Sequence, residues 1–299
     1  MKIKEIAILG PTASGKTAAA IEIAHKHNAN ILSLDSLAVY KETDIVSAKP
    51  TVKERAGIKH FGIDVLQIDD YFSAATFFDL YHEAKETSIR EGKHLIIVGG
   101  TSFYLKSMME GLSPKVTLSD KNREALQTTL LNLSRAYAKI VSKDPDYAQK
   151  ISSSDRYRIQ KWYEIYLETG LSATAFFAQN RRAPVIGKIP IFEITTDRDT
   201  LRNRIATRTA SMIKNGLVEE IFHLEKRYSR KPAPMKAIGI KETLAYLDGK
   251  ITLTQLHEEI STHTMQLAKR QQTFNHSQFL NKKSLLKNDL VKHISKLFN

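Results

Sequence analysis

The chain has no cysteine, which excludes disulfide bridges and thiolate-held metals at the outset. It has no apolar run approaching the roughly 18 residues of a membrane span, so no membrane attachment is expected. A leader is not expected, because MKIKEIAILG enters an apolar strand pattern within a few residues. A cytoplasmic protein is the expectation. Acidic residues are in short supply, with 32 Asp+Glu against 45 Lys+Arg and a formal net charge of +13. An enzyme handling only a small phosphate does not need that excess. A polyanion would exploit it through phosphate contacts and counterion release, although plain lysine enrichment is the competing account. What is present is ordinary for a globular chain: 299 residues, 42% hydrophobic, enough for one large domain or two modest ones.

The sharpest signal is GPTASGKT at residues 10–17, directly after Ile6-Ala7-Ile8-Leu9. Its spacing fits the phosphate-binding loop G-x-x-x-x-G-K-[ST]. A buried-type strand precedes it, and Ala18-Ala19-Ala20-Ile21 continues as a helix. Gly10, Pro11, Thr12, Ala13, Ser14 and Gly15 would wrap an anion, with backbone N–H groups offered by all but Pro11. Lys16 would bridge the outer phosphates, and the Thr17 hydroxyl would ligate Mg2+.

Strand and helix then alternate. Ala29–Leu34 reads as a second strand ending at Asp35-Ser36, residues 73–91 as a helix stopped by Gly92, and His94–Val98 as a buried strand. This predicts an α/β fold, a P-loop core whose parallel sheet is flanked by helices, with the site at the carboxyl ends of the strands. Near Ser113-Pro114 the character changes. Residues 114–187 show helical patterns, among them Arg123–Leu133 and Asp155–Thr169, with twelve basic residues against seven acidic. Strand character returns at Ile189–Ile194. The expected organisation is therefore a core of residues 1–113 and 188–299 with an inserted all-helical domain at 114–187. Residues 226–241 carry six Lys/Arg and no acid. The last nineteen residues hold five Lys against one Asp and read as a helix with a solvated face.

Four further groups bear chemistry. Asp35, at the end of the second strand, could ligate a metal, take a proton from an acceptor, or simply make a turn. In VGGTSFY the strand ends on two glycines and Thr101, where a P-loop NTPase commonly places a magnesium aspartate. In RNRIATR, Arg204 and Arg208 share a helix face, suited to a diphosphate clamp. The run MQLAKRQQTFNH mixes Lys269, Arg270 and Gln271 with Phe274, a combination suited to RNA loops. A small-molecule or nucleotide kinase shares the loop and the arginine helix and is the alternative reading. A nucleic-acid-binding module that merely senses nucleotide is a third.

Taken in order, GPTASGKT, DSLAVY, AKPT, HFGID, GGTSFY, DRYRIQKWYEIYLETG, IKNGLVEE, AIGIKE and AKRQQTF resemble the tRNA dimethylallyltransferases, isopentenyltransferases that prenylate the adenosine 3′ of the anticodon. The resemblance extends from residue 10 to 274. It implies that the loop holds the diphosphate of dimethylallyl diphosphate, with Mg2+ on Thr17, and that this diphosphate is the leaving group. It implies further that Asp35 sits at the target amine with Thr101 beside it, and that Arg208 binds diphosphate, with Arg204 close enough to compete. Contacts to the tRNA anticodon stem-loop would fall on Asp35, Ser36, Leu37, Ala38, Thr101 and Arg123. They would fall also on Gln160, Lys161, Trp162, Tyr163 and Glu164, and on Lys236, Ala237, Ile238, Gly239, Ile240 and Lys241. The family usually has glutamine at the position of Ala38, alanine-leucine at Trp162-Tyr163, tyrosine at Ile240 and tryptophan at Phe274. Aromatic residues on a helix can equally thicken a core, which is the other reading of Trp162-Tyr163. A monomer is expected.

Overall fold

The computed structural model describes residues 3–180 and 183–298. The first part of the chain builds β1 (Glu5–Leu9), α1 (Lys16–Lys26), β2 (Ala29–Leu34), α2 (Asp44–Ser47), β3 (His60–Phe61), α3 (Ala74–Glu91) and β4 (His94–Gly99), and then enters α4 (Ser102–Glu110). Within β4 all six residues are buried, as expected of a central parallel strand covered on both faces. Ser73 and Thr76 form a capping box that starts α3, and Gly92, in the left-handed region at φ 64°, stops it.

The helical unit spans Met108–Val185. It contains α5 (Asp120–Thr129), α6 (Leu133–Lys143), α7 (Pro145–Ala148), α8 (Arg156–Thr169) and α9 (Ala173–Gln179). The helix expected over Arg123–Leu133 is in fact two. Asn132 accepts from Arg135 N at 3.0 Å and starts α6 afresh. This unit has its own core, with Ile140, Ile159, Trp162, Tyr163 and Phe176 packed together. Val185 N donates to Met108 O at 2.8 Å, joining its two ends.

The chain then returns to the sheet through β5 (Ile191–Ile194). It continues as α10 (Arg198–Lys214), α11 (Leu217–Tyr228), a 3-10 turn at Ala233–Lys236, α12 (Ile240–Leu247), α13 (Leu253–Gln278), β6 (Lys283–Leu285) and α14 (Lys287–Phe298). Strand β5 is shorter than the pattern from Ile189, because Pro190 has no N–H to give a ladder. Its carbonyl still accepts from Ala7 N at 2.9 Å.

The sheet has six strands in the order β3-β2-β4-β1-β5-β6, with every pairing parallel. The expected α/β core is present. In the last nineteen residues the expected helix with a solvated face is present as α14, and a short edge strand that was not expected precedes it. The helix buries Leu290, Val291, Ile294 and Phe298 against the core around α1. Lys292 and Lys296 lie on the exposed face of this amphipathic helix, whereas Lys282 packs inward on Glu193 at 3.5 Å.

Candidate active site at the carboxyl ends of the strands

Strands β1, β2 and β4 lie side by side, so the three segments that follow them meet above the sheet. They line one cavity of about 280 Å³ together with α10, α13 and the Ala237–Gly239 segment. At Gly99 the close approach is explicit, since a Cβ there would sit 2.2 Å from Leu34 O. Only glycine lets the ends of β2 and β4 touch.

From β1 comes the phosphate loop. Lys16 Nζ donates to Pro11 O at 3.2 Å and faces the cavity. Loss of water around the ammonium lowers its pKa to about 8; Asp35 pulls it up, and Arg208 pushes it further down. Arg208 reaches in from α10, its Nη1 3.4 Å from Thr12 Oγ1, and its pKa is lowered by burial against the opposing pull of Asp35. The Ser14 hydroxyl is buried without a partner among the described residues. Two cations and an unanswered hydroxyl around backbone amides make an anion seat.

The segment after β2 supplies Asp35. Its Oδ1 accepts from Leu37 N at 2.9 Å and Ala38 N at 3.1 Å, a local turn that fixes the carboxylate at the cavity wall. After β4, Thr101 N donates to Leu34 O at 3.1 Å, which places the Thr101 side chain on the same cavity. Ser36 and Leu37 line it too, with Ser36 exposed, whereas Ala38 is buried beneath. On another wall stand Ala237, Ile238 and Gly239, while Lys236 and Lys241 are exposed and Ile240 is fully buried.

The structure separates the two arginines. Arg208 lines the inner cavity; Arg204 is exposed and lines a second, outer one beside Thr17, which Arg208 also borders. Thr17 is exposed on the first turn of α1.

In the helical unit Arg123 is exposed and pairs with Asp120 at 3.0 Å. Gln160 and Lys161 are half-buried, and both reach Glu164, at 2.8 Å and 2.6 Å. Trp162 and Tyr163 require a correction. Their relative exposures are 0% and 2%. The Trp162 indole donates to Asp144 at 2.9 Å and the Tyr163 hydroxyl to Ala136 O at 3.1 Å. These side chains are core, not surface available to RNA.

Sequence reasoning missed one wall except for Gln271, which it read only as part of an RNA-suited run. Ile260, Thr264, Leu267 and Gln271 of α13 all line the cavity. Their spacing of four, three and four residues puts them on one helix face, a signal hidden by the attention drawn to Lys269 and Arg270. Those two are exposed, and Gln271 instead accepts from Thr12 N at 2.9 Å. Glu242 was missed as well. Buried, it accepts from Gly239 N at 2.7 Å and contacts His263 at 2.6 Å, bracing the Ala237–Gly239 wall.

This arrangement has known counterparts. The family model described as IPP transferase matches residues 38–278. A tRNA dimethylallyltransferase of Sulfurovum sp. (strain NBC37-1) is 51% identical over 280 residues, 93% of each chain. That of Aliarcobacter butzleri is 50% identical over 297 residues, 99% of this chain and 100% of its own. Among solved structures, a tRNA delta(2)-isopentenylpyrophosphate transferase from Staphylococcus epidermidis superposes with a TM-score of 0.71 at 31% identity, covering 100% of this chain and 99% of its own. A eukaryotic dimethylallyltransferase described as acting on tRNA gives 0.81 at 28% identity, covering 97% of this chain and 75% of its own. With the P-loop sheet, the shared cavity and matches along nearly its whole length, the chain belongs to the IPP transferase family.

Proposed function

We propose that the protein is a prenyltransferase that moves the dimethylallyl group from dimethylallyl diphosphate to the exocyclic amine of the adenosine 3′ of the anticodon in tRNA, releasing diphosphate. The observation that carries this is the single cavity shared by a cationic anion seat, Lys16 and Arg208, and by Asp35 with Thr101. The names of the relatives agree with tRNA prenylation and do not favour the kinase alternative.

An adenine amine is a poor nucleophile because its lone pair is delocalised into the ring. The allylic carbon of the donor compensates by carrying positive charge as its carbon–oxygen bond stretches. The bonding pair leaves with diphosphate while nitrogen bonds to carbon. Stabilising the departing charge is thus the main task, and Lys16, Arg208 and the loop amides are placed for it. Asp35 accepts the proton that the amine loses, a contribution of roughly 10²–10⁴-fold. Thr101 orients the amine.

Magnesium would sit at the outer side of this seat as a substrate-held ion, where Thr17 lines the second cavity that Lys16 and Arg208 also border. The Thr17 side chain is exposed there, and no cluster of three His, Asp or Glu suited to a metal is found among the described residues. One protein oxygen with the rest from diphosphate and water is the set Mg2+ accepts, and when bound it would neutralise leaving-group charge. The RNA arrives against a chain of net charge +13. Extruding the target base costs a few kcal/mol, offset by backbone contacts to exposed cations such as Arg123, Lys236 and Lys241.

Incubation with radiolabelled dimethylallyl diphosphate, tRNA and Mg2+, with and without ATP, tests the reading. Label should enter tRNA in both cases. ATP-dependent phosphorylation, or RNA binding with no product from the donor, would overturn it.

A further inference from the structure

Besides the residues assigned to chemistry, one side chain touches both halves of the cavity. Gln271 projects from α13 to the phosphate loop after β1, where its Oε1 accepts from Thr12 N at 2.9 Å. The other end of the same amide rests on the turn after β4. A Cβ built on Gly100 would lie 2.3 Å from Gln271 Nε2, 3.1 Å from its Cδ and 3.5 Å from its Oε1, and these are its three nearest atoms. Outside its own chain neighbours, nothing comes closer to that space than the Gln271 amide. Thr12 is also the residue whose hydroxyl meets Arg208, and Gly100 adjoins Thr101.

We infer that Gln271 is a positioning residue that sets the distance between the leaving-group seat and the amine side of the cavity. The inference rests on the transfer reaction proposed above. In-line displacement needs the donor carbon and the amine nitrogen about 3–3.5 Å apart, and a misplacement of 1 Å costs on the order of 100-fold. Each partner is anchored on a different strand end. One amide, hydrogen-bonded to the first anchor and packed on the second, fixes their separation more tightly than the sheet alone. The requirement also accounts for glycine at 100, since a methyl group there would push the amide off Thr12 while leaving the main chain in place.

The test is a double-mutant cycle read in two ways. Gln271→Ala and Gly100→Ala should each lower kcat by roughly 10–100-fold, with the Kd for tRNA unchanged. The double variant should be no worse than either single one, because both remove the same tie. Independently of turnover, hydrogen exchange at the Thr12 amide should accelerate on the order of tenfold in both. Gln271→Glu, which keeps the acceptor, should retain slow exchange at Thr12. Wild-type kcat in Gln271→Ala, losses that multiply in the double variant, or unchanged Thr12 exchange would each overturn the inference. Failure of the wild-type protein to prenylate tRNA would instead strike the proposed function, and the exchange data would still report on the tie. Thermal melts establish that each variant is folded; should Gln271→Ala not fold, Gln271→Met, similar in volume but lacking the acceptor, carries the same expectations.

Discussion

The helical unit and the phosphate-loop core treat buried polar groups in opposite ways. In the helical unit Asp144 accepts from Trp162 Nε1, Tyr147 N, Thr174 N and Thr174 Oγ1. Burial pushes its carboxyl up, yet those bonds, led by Thr174, outweigh it and hold the group below the usual carboxylate range. Unpartnered buried side-chain polar atoms among the described residues all fall outside this unit. At the cavity, Ser14 is such an atom, Lys16 has one carbonyl partner, and Arg208 has one long bond to Thr12. The other six such atoms are on residues that do not line the cavity, so it is the poorly paired Lys16 and Arg208 beside Ser14 that mark the place where a charged ligand belongs.

The comparison can be broken at several points. Asp35→Ala should reduce kcat by roughly 10²–10⁴-fold while the Kd for tRNA, from filter binding, stays within about twofold; an unchanged kcat removes Asp35 as proton acceptor. Lys16→Ala should lower kcat/KM for the prenyl donor by about 10²-fold or more, and steady-state kinetics at saturating tRNA read it. Asp144→Ala should cost the helical unit roughly 2–4 kcal/mol by leaving its donors unanswered. The chain's sole tryptophan, Trp162, reports that loss by fluorescence. The Asp144 carboxyl has a lowered pKa in the folded state, so its stabilisation is complete above the unfolded value of about 4 and is lost as pH falls below it. Lys16 behaves in the opposite sense. With a pKa of about 8, the free enzyme loses that charge as pH rises past this value, so KM for the donor should rise above it, and Lys16→Ala should flatten the profile. The smallest effect belongs to Trp162→Phe, about 1 kcal/mol for one buried hydrogen bond, with tRNA affinity unchanged. A large loss of tRNA affinity in a folded Trp162→Phe protein would restore this side chain to the RNA surface.

Much of the core was legible because its signals are local. The loop spacing, the apolar runs of β1, β2 and β4, and Gly92 at the end of α3 each occupy a few consecutive residues. Arg204 and Arg208 were not separable by spacing, since both lie on one helix face; only the depth of the cavity distinguishes them. Glu242, and the contact of Gln271 with the phosphate loop, escaped because the partners, His263 and Thr12, lie 21 and 259 positions away. Trp162-Tyr163 remained ambiguous for a related reason: a helix pattern gives a face, but not what covers it. The final helix was legible as a helix, but the three-residue strand before it is too short to leave a pattern, and the lysine count drew notice from the buried repeat of Leu290, Ile294 and Phe298.

That final helix has a consequence for how the molecule fails. Phe298 stacks on His27 just past the end of α1, Leu297 O takes the ammonium of Lys4, and β6 seals the free edge of β5. A chain clipped anywhere before Lys283 leaves a raw sheet margin and strips the greasy flank from the very helix that begins at the phosphate loop. Carboxypeptidase trimming should therefore silence donor binding before it reaches any residue a substrate could touch, making the tail an early casualty of proteolysis and a sensitive place to fuse a tag.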